Sequence, residues 1–192
     1  LVALGGCFSE RSGVINLGLE GIMVMGAMGG ALTMRYLYRN FEGISPVILI
    51  ILVILASIAI GLVYSLLLAI ACINFKADQT IVGTALNMLG TAAATVIVKA
   101  INTTANPDNV SSVVEYIQPK KAFIFKIGSL EMNWLTIVTA VILVISYILL
   151  YKTKFGLRLM ACGEHPQAAD SVGINVYKMR YAGVLISGVL GG

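Results

Sequence analysis

Charged side chains are scarce in this chain: 11% of its 192 residues, against 58% apolar ones. An ordinary soluble domain carries about 25% charge, so the shortage excludes that class and points to an integral membrane protein. Histidine is scarcer still, with His165 alone. It sits before Pro166 in a hydrophilic stretch without a partner constellation, which leaves no basis for a catalytic triad or a histidine metal site, and a capping or solvated role is expected of it. An intramembrane hydrolase is disfavoured too, because Ser12 and His165 fall in widely separated segments. The cysteines, Cys7, Cys72 and Cys162, show neither paired nor metal-ligand spacing and are expected to act as small packing residues. A phosphate-binding G-x-x-x-x-G-K-[ST] loop is also lacking, so ATP has no cradle here and no cofactor is expected.

What is present is long apolar runs. Met132 to Tyr151 is 20 uncharged residues, about 30 Å as a helix and the thickness of a bilayer core. Gly43 to Phe75 is uncharged over 33 residues, about 50 Å of helix, and must tilt, kink or include interfacial turns. Ile81 to Val98 is a third candidate span. Gly13 to Met34 is a fourth, although Glu20 and six glycines make a plain helix unexpected. Tyr181 to Gly192 is too short to cross, and the chain reads as an excerpt of a longer polypeptide whose Leu1 to Phe8 lacks the basic region of a signal peptide. The fold class expected is all-α: a polytopic transmembrane helical bundle with broken helices and a short cytoplasmic loop helix, one transmembrane domain over residues 1–192, truncated at both ends.

Net charge is +4, yet the basic residues flank apolar spans, where lipid headgroups and topology account for them, so nucleic acid is not an expected partner. Alternate loops carry seven and six Lys and Arg residues, and five of the seven lie between Lys152 and Arg180. That density places 152–180 in the cytoplasm and 99–131 outside. The outer stretch has turn signals at Asn106-Pro107-Asp108-Asn109 and an alternating run, Ala122 to Gly128, that fits a short strand or an interfacial segment. Trp134 and Tyr151 suit interfacial anchors.

Two segments carry polar groups suited to a solute path. Were Ser9 to Glu20 helical, Ser9, Ser12, Asn16 and Glu20 would share an arc of about 80°. A carboxylate inside a bilayer costs about 2.5 to 3.5 kcal/mol, so Glu20 should face an interior or aqueous cavity. Thr84, Asn87, Thr91 and Thr95 fall on one face of the third span. Such stripes serve interhelical hydrogen bonding as readily as solute contact. In the basic segment, Pro166 suits a first helical position and Gly173 a left-handed terminator. Ala168, Ala169 and Val172 would form a small apolar face between them.

These motifs bring a resemblance. Lys152 to Arg180, K-T-K-F-G-L-R-L-M-A-C-G-E-H-P-Q-A-A-D-S-V-G-I-N-V-Y-K-M-R, resembles the coupling loop of ABC-importer permeases in the group of simple-sugar and branched-chain amino acid permeases. F-S-E-R-S-G-V-I-N-L-G-L-E-G-I-M, Phe8 to Met23, and A-D-Q-T-I-V-G-T-A-L-N, Ala77 to Asn87, are similar to nucleoside-type permeases within that group. The resemblance implies a longer, multi-pass bacterial plasma-membrane permease that moves nucleosides or related small polar solutes. It also implies pairing with a second permease subunit, cytoplasmic ATPase subunits, an extracellular substrate-binding lipoprotein and membrane lipid. Contact with the ATPase is implied for Gly163, Glu164, His165, Pro166, Ala168, Ala169, Val172 and Gly173. The competing expectation is an ion-coupled secondary transporter or channel using Glu20.

Overall fold

The computed structural model describes residues 1–41, 45–114, 124–127 and 130–192. Eight α-helices account for most of them: α1 (Val2–Arg11), α2 (Leu19–Asn40), α3 (Pro46–Ala69), α4 (Gln79–Ala105), α5 (Trp134–Lys152), α6 (Lys154–Glu164), α7 (Pro166–Ser171) and α8 (Val176–Gly191). The alternating run between α4 and α5 supplies one strand of an antiparallel pair, β1 (Ile124–Ile127) with β2 (Leu130–Asn133). Ala122, Phe123 and Gly128 of that run lie outside the described residues.

Among the described residues three helical stretches are long and apolar enough to cross a membrane: Val47–Asn74, Gln79–Ala105 and Leu135–Lys152, of 28, 27 and 18 residues. At 1.5 Å per residue they reach about 42, 40 and 27 Å, against a hydrocarbon core of about 30 Å. The first is longer than a straight crossing needs. It passes from α3 into a π turn, Ile70–Asn74, which ends with Phe75 N–H bonding Ile70 O at 3.2 Å. Side chains cap the helices at polar breaks. Asp78 accepts from the N–H groups of Thr80 and Ile81, Thr153 from Gly156 and Asn175 from Lys178, each worth about 0.5 to 2 kcal/mol.

Helix α2 packs on α3 and α4, while α8 lies against α1, α2 and α3. Glycine sets how close these crossings are. A Cβ on Gly21 would stand 2.6 Å from Leu86 O of α4, and one on Gly26 2.6 Å from Gly192 Cα. The core joins Val14, Ile22, Tyr64, Leu68, Leu86 and Val184, and a second cluster joins Phe8 of α1, Leu150 of α5 and Leu159 of α6. By contrast α5 turns Leu143, Val144, Ile145 and Ile148 outward. A contiguous apolar face of that size belongs in lipid or against further helices, and the chain is a membrane protein.

Several expected boundaries move. The segment 99–131 is helical through Ala105, so the connection after α4 begins at Asn106. The segment 152–180 is not a loop around one short helix but holds α6, α7 and the first turn of α8. Tyr181 to Gly192, short as an apolar run, is the greater part of the buried helix α8.

Candidate functional site

The Ser9–Glu20 segment is broken instead of helical, which corrects the expected polar stripe. Helix α1 stops because Gly13 takes φ +85°, with Gly13 N–H bonding Glu10 O and Val14 N–H bonding Ser9 O, a Schellman ending that also buries Val14. Residues 13–18 then run without helix until α2 begins at Leu19. Their backbone needs partners, and side chains provide them.

Ser9 Oγ donates to Val14 O at 2.6 Å and Ser12 Oγ to Ser9 O at 2.6 Å, both serines being fully buried. Asn16, 5% exposed, accepts from Gly18 N–H at 3.1 Å and donates through Nδ2 to Ser187 Oγ of α8 at 2.9 Å. From α4, Gln79 accepts from Ile15 N–H at 2.7 Å. Asn87 accepts from Gly21 N–H at 2.7 Å and donates to Leu17 O at 2.8 Å. Two helices far apart in sequence therefore hold the break open as a fixed shape. Ser12, Asn16 and Asn87 are brought to it, and these hydrogen bonds stay within the chain.

Glu20 does not join them. It lies exposed in the first turn of α2, where the helix dipole favours a carboxylate. Its helical face continues through Val24, Ala27, Met28 and Ala31, and these four, with Thr91, Thr95 and Val98 of α4 and Ser112 and Val114 of the connection after it, line a cavity of about 360 Å³. That lies within the range of about 300 to 1,000 Å³ typical of small-molecule sites. The hydroxyls of Thr84, Thr91 and Thr95 return to carbonyls of their own helix one turn earlier, so the stripe does not bind neighbouring helices through them. Thr91 and Thr95 face the cavity, one and two turns beyond Asn87. Among the described residues no three of His, Cys, Asp and Glu form a group that could hold a metal ion.

At the opposite end of α4 from the 106–114 connection, the end of α6 meets the break at Gly163. Gly163 of α6 crosses Gly13 closely, a Cβ on Gly13 falling 3.1 Å from Gly163 Cα. Cys7, Glu10, Arg11, Met160, Gly163 and Glu164 enclose a cleft of about 350 Å³ between α1 and α6. Cys162, on the same helix, is fully buried, and burial pushes its thiol above the ordinary value while Arg180 draws it back.

His165 ends α6 and begins α7 with φ −137° and ψ 79°, the extended geometry demanded before a proline, and its exposed side chain caps neither helix. Pro166 follows at the start of α7. Gly173, at φ +86°, closes α7 by bonding Asp170 O while Ile174 N–H bonds Ala169 O, a second Schellman ending. The apolar face expected of this helix is split. Ala169 is 5% exposed and turns inward, whereas Val172 is 79% exposed and Ala168, Glu164 and Gln167 lie outward with it.

Composition alone did not single out Ser187, Gln79 or the stop at Gly13. The stop was signalled by a basic residue, Arg11, in a last turn followed by Gly13 and an apolar Val14. Arg35 was also missed. It is buried on α2 and donates through Nη1 to Asn102 Oδ1 at 2.6 Å, while Asn102 Nδ2 holds Ser111 O and Val113 O, both at 2.9 Å. That latch pins residues 111–113 beside the cavity between α2 and α4.

Over residues 1–192 the chain matches the family described as branched-chain amino acid transport system / permease component. It is 43% identical over 196 residues to the guanosine ABC transporter permease protein NupQ of Bacillus subtilis, covering 100% of this chain and 60% of that one. It is 37% identical over 193 residues to the nucleoside ABC transporter permease protein NupC of Lactococcus lactis, covering 99% and 60%. To the putative glucose ABC transporter permease protein TsgC13 of Haloferax volcanii it is 31% identical over 198 residues, covering 100% and 56%. The chain thus spans about 60% of the length of the curated relatives it matches. No solved structure matches it.

Proposed function

The chain belongs to the branched-chain amino acid transport system permease family, and we propose that the whole protein is the membrane subunit of an ATP-driven nucleoside importer working by alternating access. The similarity to guanosine and nucleoside permeases along the entire chain carries the choice of solute. In this reading the solute passes along the groove between α2 and α4, meeting Glu20, Thr91 and Thr95. Ser12, Asn16 and Asn87 act behind it by fixing the broken backbone. A nucleoside is neutral and rich in donors and acceptors, which suits hydroxyls and one carboxylate beside apolar walls.

Energy comes from separate ATPase subunits, which dock on the exposed side of Gly163–Gly173. Glu164, His165, Ala168 and Val172 present the contact surface, Pro166 and Gly173 fix the ends of α7, and Ala169 anchors it from within. The stiff crossing of Gly163 on Gly13 supports transmission of an ATPase movement to the α1–α2 break, since coupling needs an element whose arrangement both sites bias. The protein sits in the bacterial plasma membrane as a multi-pass subunit, with a second permease and an extracellular substrate-binding lipoprotein completing the importer. The test is uptake of labelled guanosine into proteoliposomes holding the full-length permease, its partner permease, the lipoprotein and the ATPases. Uptake should require internal ATP and persist without an ion gradient. Uptake driven by a proton or sodium gradient without ATP would replace the importer reading with an ion-coupled one.

A further inference from the structure

Arg180 lies on the second turn of α8 with its Nε buried and without a hydrogen-bond partner among the described residues. Its guanidinium reaches the junction of Gly13 and Gly163, Nη2 being 3.5 Å from the place of a Cβ on Gly13. Beside it opens a cavity of about 340 Å³ whose lining includes Lys76, Gln79, Val176, Tyr177 and Arg180. Lys76 stands at φ +53°, a left-handed backbone that a residue with a Cβ adopts at some cost, between the π turn and α4.

The two charged residues that line this cavity, Lys76 and Arg180, are both positive. Helices α4 and α8 both start at it, adding the positive ends of two dipoles. The neighbouring carboxylate, Asp78, is engaged with the N–H groups of Thr80 and Ile81. Gln79 spends its carbonyl on Ile15 N–H, which leaves its amide N–H₂ as a donor. The cavity also lies at the end of the longest apolar stretch, next to Phe75 and Tyr177, 78% and 59% exposed, aromatic residues of the kind that settle at a bilayer interface.

We propose that this cavity binds a phosphate oxyanion carried by the headgroup of an anionic phospholipid, held between Lys76 and Arg180. A phosphodiester pairs with the two cations that line the cavity, and its acyl chains extend along apolar helix surface. The bound lipid then bridges α8 and the connection between α3 and α4, independently of which solute is carried.

The test uses the full-length permease in detergent, with phosphatidylglycerol and phosphatidylcholine as probes and native mass spectrometry as the readout. Phosphatidylglycerol should be retained preferentially. Lys76→Asn, which suits the left-handed backbone, and Arg180→Gln should each weaken retention by about fivefold, the worth of one basic residue at a membrane surface. Lys178→Gln, removing an exposed charge outside the cavity lining, should leave it unchanged. Should Arg180→Gln fail to fold, Lys76→Asn alone decides. Lys76-dependent thermal stabilisation by inorganic phosphate without lipid would keep the oxyanion site and assign it to free phosphate. Equal retention of both lipids, or wild-type retention of phosphatidylglycerol by Lys76→Asn, would overturn the proposal. So would protection of Lys76 from acylation by the ATPase subunits alone in lipid-free detergent, which would give these cations to the partner.

Discussion

Asn16 Nδ2 donates to Ser187 Oγ at 2.9 Å, tying the α1–α2 break to a helix 171 positions further along the chain. Both residues are buried, so the bond is made where water offers no substitute. Asn16→Leu should strand Ser187 and Gly18 N–H together and lower stability by about 1 to 3 kcal/mol. Ser187→Ala removes a smaller share. The double variant should lose less than the sum, by a coupling of about 0.6 to 1.7 kcal/mol. Thermal denaturation of the solubilised permease measures the cycle, and additive losses would mean that the two side chains do not act together.

A change at Glu20 tells a solute-path role from a structural one. Because it is exposed and bonded to none of the groups that hold the break, Glu20→Gln should leave the folded amount near wild type. Uptake of guanosine per folded complex should fall by about tenfold or more, as expected for losing a hydrogen bond to a charged group worth about 1.5 to 3 kcal/mol. Normal uptake per complex would remove Glu20 from the path. A fall in abundance with unchanged uptake per complex would make it structural.

How far the sequence reveals this architecture depends on the range of the interaction concerned. The apolar runs of α3, α4 and α5 are legible because hydrophobic length is local, and so are Pro166 and Gly173, whose backbone demands are written into their own chemistry. The stop at Gly13 is local too, but the serines and Asn16 on either side spell an equally good helical stripe, and the left-handed turn at Gly13 decides against it together with bonds from the distant Gln79, Asn87 and Ser187. Helix α8 is hidden for another reason. It is short and glycine-rich, so its place in the core comes from close approach to α1 and α3 and not from length. The inward turn of Ala169 likewise depends on where α6 and α8 lie.

Close packing at α2 and α4 gives a third expectation. Gly21→Ala should cost about 1 to 3 kcal/mol, because the new methyl meets the Leu86 carbonyl at 2.6 Å and backbone must move. Gly173→Ala meets nothing within 4 Å, yet its φ of +86° imposes about 1 to 2 kcal/mol of backbone strain. Melting temperatures should fall in both, while Gly173→Asn, which tolerates a left-handed backbone better, should recover much of the loss only at that site.

Sidedness is best tested away from Cys162, whose burial shields it from a polar reagent whichever face it lies on. With the three native cysteines replaced, Ser112→Cys and Ser171→Cys place thiols at exposed positions of the outer connection and of α7. In intact cells a membrane-impermeant maleimide should label the first and spare the second until the membrane is opened. The reverse pattern would invert the topology.

The division of α7 into an inner and an outer side yields the sharpest test of coupling. Ala169 is packed against its own chain, so Ala169→Arg forces a charge into a buried position and should reduce the folded permease itself. Val172 is free on the outer side, so Val172→Arg should leave folding and insertion intact. If α7 enters a groove of the ATPase, that long cation should weaken docking by about tenfold, the effect of losing about 1.4 kcal/mol at a contact residue. Co-purification of the ATPase and ATP-driven uptake should fall together in Val172→Arg at unchanged permease abundance. Full recovery of the ATPase with wild-type uptake in that variant would take the exposed face of α7 out of the interface and leave the crossing of Gly163 on Gly13 as a contact internal to the permease.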